Sequence, residues 1–131
     1  MLRIPTRLEL SLEDLAYRTI GCCIAVHGEL GPGLMERAYL RAAQYELDSA
    51  QIPFECEKAY PIFYRGKPVC LHRLDLVVAG QMVLELKAVD CLLPVHQAQV
   101  LSYLRASRLR LGLLINFNVP LLPQSIKRIV L

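Results

Sequence analysis

Residues 73–88 read RLDLVVAGQMVLELKA: two short apolar runs around a Gly-containing turn, carrying Asp75, Glu85 and Lys87 where burial would favour none of them. In a strand, alternate side chains share a face, so Glu85 and Lys87 point one way while Leu84 and Leu86 point the other. If Ala79, Gly80 and Gln81 form a three-residue loop, Val78 pairs with Met82 and Asp75 falls opposite Glu85, with Cβ atoms about 5 Å apart. A two-residue loop would shift the register and send the two acids to opposite faces. Loop length therefore decides whether these charges meet.

Outward from this hairpin, FECEKAYPIFY (54–64), a turn at RGKP, and VCLHRLDLVV (69–78) extend it into an antiparallel meander with MVLELKA (82–88). Upstream, Ser11 with Asp14 three residues on makes an N-cap. Leu12, Leu15, Thr19, Cys22, Val26 and Leu30 then follow at helical spacing over roughly 12–29. GPG at 31–33 breaks that helix. A second helix is expected over roughly 34–50 with Leu40, Ala43 and Leu47 inward. Downstream, PVHQAQVLSYLRAS (94–107) is helical with Pro94 in its first turn. LRLGLLINF (109–117) reads as a strand buried on both faces, and IKRIVL as a short closing strand. The order helix, helix, three strands, helix, strand, strand favours an α/β (α+β) fold, a mixed sheet with helices packed on it. Its 131 residues, without repeats or low-complexity linkers, are expected to form one domain, 1–131.

The composition, 54% hydrophobic and 21% charged, is that of a globular chain. No apolar run approaches the 18 or so residues needed to span a bilayer, and no charged-then-apolar leader opens the sequence. A soluble, cytoplasmic protein is expected, with no membrane partner. The formal charge of +3 permits contact with nucleic acid but falls short of a dedicated binder's strongly basic footprint. Five cysteines, Cys22, Cys23, Cys56, Cys70 and Cys91, form no CxxC pair and read as reduced, buried small hydrophobes. The leucine-rich composition points to a surface covered by a second copy, a homodimer.

Two carboxylates directly opposed repel one another, and partial burial raises at least one pKa unless a cation sits between them. Mg²⁺ resolves that conflict, since it takes one or two carboxylates with water and phosphate oxygens. Lys87 can then orient a water or offset phosphate charge. The bland reading is a solvated face on which an ExK tripeptide stands by chance. Glu36 shares a helix face with Leu40, Ala43 and Leu47 and leans toward the core, or else it merely complements a helix N-terminus. His96, Gln99 and Tyr103 recur at i, i+3 and i+7 as a narrow polar stripe, which either lies exposed or faces the hairpin. Arg73, two residues before Asp75, should share its face and contact phosphate or a carboxylate.

Asp75, then Glu85-Leu86-Lys87, then Gln99-Val-Leu-Ser-Tyr103 resembles the D…ExK…QxxxY series of the PD-(D/E)XK nuclease superfamily, in particular its RecB-like branch. GLMERAY (33–39) is similar to the signature of the GxxExxY family within it. AVHGELGPGLMERAY, ELKAVD and GLLINFNVPLL extend the likeness over roughly 10–131. The resemblance implies a restriction-endonuclease-like core and a phosphodiesterase centre. In it Asp75 and Glu85 hold Mg²⁺, with Mn²⁺ as a substitute, and Glu36 adds a carboxylate directly or through water. Lys87 assists the attacking water, and Gln99 and Tyr103 brace the site or contact nucleic acid. His96 and His27 lie in the resembling stretches, where a local hydrogen bond is expected of them rather than a ligand's role.

The leading expectation is a Mg²⁺-dependent nuclease acting on nucleic acid, DNA first, by metal-assisted attack of water. The alternative is a nuclease-fold module that binds nucleic acid or protein with little or no turnover.

Overall fold

The computed structural model describes residues 11–131; the reading that no leader opens the chain falls on the first ten and lies outside the described residues. Ser11 caps the first helix, α1 (Leu12–Leu30), its hydroxyl oxygen accepting the Asp14 amide at 3.0 Å. The helix stops at Gly31, whose φ of 68° only glycine adopts freely and whose amide donates to the His27 carbonyl at 2.8 Å. A second helix, α2 (Glu36–Ser49), starts after the GPG turn.

Three strands follow as a meander: β1 (Phe54–Tyr64), β2 (Lys67–Val78) and β3 (Met82–Lys87). Helix α3 (Pro94–Ser107) crosses over to β4 (Leu111–Asn116), which runs parallel to β3. A short 3₁₀ turn (Leu122–Ser125) returns the chain as β5 (Ile126–Val130), antiparallel to β4. The sheet order is β1-β2-β3-β4-β5, the mixed α+β arrangement expected.

Helices cover both faces of the sheet. On one, α1 and α2 bury Leu15, Cys23, Val26, Leu40, Ala43 and Leu47 against Leu76, Leu84, Leu86, Leu113 and Ile115. On the other, Val100 and Leu104 of α3 pack on Leu74, Val77, Val83, Leu114 and Ile129. This second contact depends on Gly112, where a Cβ would lie 2.6 Å from a Val100 methyl carbon. Strand β4, covered on both sides, is buried at all six positions.

Two expectations are corrected. Leu30, placed in the apolar stripe of α1, is 38% exposed, and His27 takes the buried place in the helix's last turn. Cys22 and Cys23 are buried, but Cys56, Cys70 and Cys91 are exposed free thiols. Two of these three lie on the β1–β2 hairpin, most of whose outer part no helix covers. No helix among the described residues is long and apolar enough to cross a membrane.

Candidate active site

The loop between β2 and β3 does have three residues. Ala79 and Gly80 take left-handed φ values of 52° and 65°, and Val78, Val77 and Leu76 pair with Met82, Val83 and Leu84. The main-chain ladder ends there, and the next residues in register are Asp75 and Glu85. Their carboxylates take over the pairing. The Asp75 amide donates to Glu85 Oε1 at 2.8 Å, and the Leu86 amide donates to Asp75 Oδ2 at 2.9 Å. Each acid thus satisfies a backbone donor of the opposite strand, and Asp75 Oδ1 and Glu85 Oε2 accept no hydrogen bond among the described residues.

This exchange goes with a distortion of β2. Leu74 packs under α3 whereas Leu76, two residues on, packs under α1 and α2, so side-chain alternation is interrupted at Asp75. The partner strand is distorted at the same level. Glu57 has a φ of 54°, and the β1–β2 register passes from Cys56–Leu76 to Lys58–Leu74 without a pair for it. Arg73 alternates with Leu74 and points to the α1–α2 side; the expectation that it shares the Asp75 face by simple spacing does not carry across the distortion. It is exposed and makes no ion pair among the described residues.

Glu85 is 4% exposed, and burial, then the neighbouring Asp75 charge, pushes its carboxyl up to about 8. Asp75 is raised too, chiefly by burial, against the pull of the Leu86 amide and Lys87. Lys87 extends from the end of β3, and its positive charge opposes the rise at Glu36, Asp75 and Glu85 alike, yet it closes no ion pair with any of them. Glu36, the first residue of α2, is half-buried and raised by burial and by the Asp75 charge, so it leans toward the pair. Tyr103 on α3 is half-buried, and its hydroxyl is pushed up to about 12 by burial and by the Glu85, Asp75 and Glu36 charges. Its ring meets His72 edge-on at 4.8 Å.

The rest of the polar stripe behaves differently. His96 Nδ1 accepts the Leu93 amide at 2.9 Å, a bond local to the start of α3. Gln99 is exposed and makes no hydrogen bond among the described residues. His27 Nε2 lies 2.8 Å from the Val119 carbonyl oxygen, its ring tilted against Phe117 at 6.2 Å, tying α1 to the loop after β4.

Two supporting residues were given no role from sequence, although Tyr39 closes the quoted GLMERAY motif. Asn116 is buried at the end of β4, where it accepts the Val89 amide at 3.0 Å and donates to the Val89 carbonyl at 2.9 Å, while the Phe117 amide holds the Lys87 carbonyl at 2.8 Å. The chain leaving Lys87 is therefore fixed at the lysine's carbonyl and again at Val89. An asparagine in an otherwise unbroken apolar strand was the available signal. Tyr39 is fully buried, stacked on Phe117 at 4.6 Å, and its hydroxyl donates to the Gly31 carbonyl at 2.6 Å and accepts the Leu34 amide at 3.1 Å. It holds the GPG turn closed and so sets where Glu36 begins its helix.

The donor chemistry suits a hard divalent cation: two hydrogen-bonded carboxylates on rigid strands, each with one oxygen to give, beside a carboxylate that water can link in. No group of three His, Cys, Asp or Glu side chains close enough to hold a metal together occurs among the described residues, so Glu36 does not complete a three-donor set directly.

A strand pair presenting Asp and ExK thus lies between a helix carrying Glu and a helix carrying Tyr. Comparison with family models gives a match over residues 13–129 to the PD-(D/E)XK nuclease superfamily. The chain belongs to that superfamily. Neither the curated proteins nor the solved structures yield a match.

Proposed function

We propose that this protein is a metal-dependent nuclease of the GxxExxY type that hydrolyses phosphodiester bonds of nucleic acid in the cytoplasm, DNA being the first substrate to test. The observation that carries this reading is the convergence of Asp75 and Glu85 across a hairpin, with, among the described residues, one oxygen of each making no hydrogen bond and the Lys87 ammonium nearby in no ion pair. Asp75 and Glu85 would hold Mg²⁺, or Mn²⁺ in its place, and Glu36 would join through water. The ion supplies Lewis acidity, lowering the pKa of a water and offsetting charge on the scissile phosphate. Lys87 donates a hydrogen bond that orients the attacking water or the phosphate oxygen. Tyr103 and Arg73 contact the nucleic acid from either side, Gln99 reaches it from the exposed face of α3, and His96 keeps α3 started where these residues need it.

Cleavage of linear, circular and single-stranded DNA and of RNA under Mg²⁺ or Mn²⁺ titration tests this, comparing wild type with Asp75→Asn, Glu85→Gln and Lys87→Met. Loss of cleavage in all three supports it; cleavage insensitive to the substitutions traces to a contaminant and sinks it. The missing third direct donor favours a second reading, a binding module with little turnover, and metal-independent nucleic-acid binding without cleavage is its signature.

A further inference from the structure

Next to the centre, on the α1–α2 side of the sheet, lies a cleft of about 80 Å³ between α2 and the start of β1, lined by Arg37, Leu40, Arg41, Gln44, Cys56 and Glu57. Its two arginines are exposed and form no ion pair among the described residues, although the site nearby is rich in acids. They stand four residues apart on α2, so their Cβ atoms are about 5–6 Å apart on one helix face. Arg37 directly follows Glu36, and the Cys56 thiol in the cleft wall lies within the electrostatic reach of Asp75 as well as of both arginines. The cleft therefore lies near the Asp75 end of the carboxylate pair.

We propose that this cleft is the track for a nucleic-acid backbone leading into the centre, with Arg37 and Arg41 each taking a phosphate. The proposal rests on the nuclease reading and names the groups that hold its substrate. Guanidinium forks bind phosphate oxygens in pairs, and two of them unneutralised beside a carboxylate site complement a polyanion rather than a peptide or a lipid tail. The cleft's small volume suits a phosphate group and not a stacked base, so binding there reads backbone rather than sequence. Arg73, pointing to the same side from β2, continues the basic line toward Asp75. Glu57 is the one charge in the cleft wall that opposes an anion, and it sets the balance of the site.

The test is anisotropy of fluorescently labelled single- and double-stranded oligonucleotides, without metal to prevent cleavage, at salt concentrations from about 50 to 300 mM. Each phosphate contact contributes about 0.7 to 0.9 to the slope of log affinity against log salt. The Arg37→Gln/Arg41→Gln double variant is expected to lower that slope by about 1.4 to 1.8 and to bind at least about tenfold more weakly at low salt. Arg105→Gln, on α3 across the sheet, is expected to match wild type. Glu57→Gln is expected to bind several-fold more tightly. Wild-type binding together with an unchanged slope in the double variant overturns the track while leaving the nuclease reading intact. Wild type that neither binds nor cleaves any oligonucleotide overturns both. Because both arginines are exposed, melting curves of the double variant should match wild type, which separates lost contacts from lost fold.

Discussion

Replacing Glu85 by Gln in metal-free buffer should make the protein more stable, and increasingly so as pH rises. In the folded chain burial and the Asp75 charge hold the Glu85 carboxyl near 8, against an ordinary value of 4.5. Between those values the folded state keeps a proton that the unfolded state has released, so wild-type stability falls as pH climbs through this window. The loss amounts to on the order of 1.4 kcal/mol per pH unit, or on the order of 3–5 kcal/mol once pH 8 is passed. Below about pH 4.5 both states are protonated and the difference disappears. Glutamine cannot ionise, and its side-chain oxygen still accepts the Asp75 amide that Glu85 Oε1 accepts at 2.8 Å, so the substitution removes the charge and keeps the bond. Thermal melts of both proteins in EDTA at pH 5, 6.5, 8 and 9 supply the measurement. At this chain length each kcal/mol moves the midpoint by roughly 3–5 °C, so a gap of about 10 °C or more is expected at pH 9 and little at pH 5. Parallel curves across the range, or wild type gaining on the variant as pH rises, would refute the claim that this carboxyl is buried without a partner for its charge.

Three further outcomes can be checked with the same protein. Millimolar Mg²⁺ or Mn²⁺ should raise the wild-type melting temperature by a few degrees at pH 8 and by less at pH 6, where Glu85 holds its proton, and Asp75→Asn should abolish the shift; equal shifts in the variant would place the ion elsewhere. Gly112→Ala drives a methyl into Val100 at 2.6 Å and should cost about 1–3 kcal/mol in denaturant melts, a cost that the double variant with Val100→Ala recovers in part. Thr19 is fully buried and its hydroxyl has no partner among the described residues, so Thr19→Val should stabilise the fold by about 1–2 kcal/mol; destabilisation would show that the hydroxyl is satisfied in solution.

Much of the architecture could be read from patterns one or two residues deep. A three-residue loop at Ala79–Gln81 was enough to set the Val78–Met82 register and bring Asp75 opposite Glu85, because strand pairing propagates any local phase. Helix stripes such as Leu40, Ala43 and Leu47 were equally plain. What periodicity missed occurs where the ladder stops being regular. Alternation presumes an unbroken strand, and at Asp75 the chain trades main-chain pairs for carboxylate–amide bonds, which moved Arg73 off its expected face. The same blind spot hid Glu57, whose left-handed backbone has no pattern in a run of strand formers. Gln99 fitted the polar stripe by spacing yet makes no hydrogen bond among the described residues, since helical phase fixes direction and not reach. The exposed cysteines were misjudged for a related reason: residue type speaks to average burial, whereas Cys70 sits on a ribbon that mostly extends past the helices.

That ribbon has a mechanical consequence. The β1–β2 pairing runs on to Tyr64–Lys67, whereas β3 accompanies β2 only as far as Leu76. Beyond Asp75 about eight residues of β2, some 25 Å at strand pitch, continue as a two-stranded arm whose outer side chains Phe63, Tyr64, Val69 and Leu71 stand in water. Two strands alone hold together poorly, so amide exchange is expected to slow stepwise from the Arg65–Gly66 tip to the root. The arm behaves as a lever whose fulcrum is Asp75, and the two carboxylate–amide bonds there are the bearings. Load applied at the tip is thus delivered to the two carboxylates whose other oxygens face the centre.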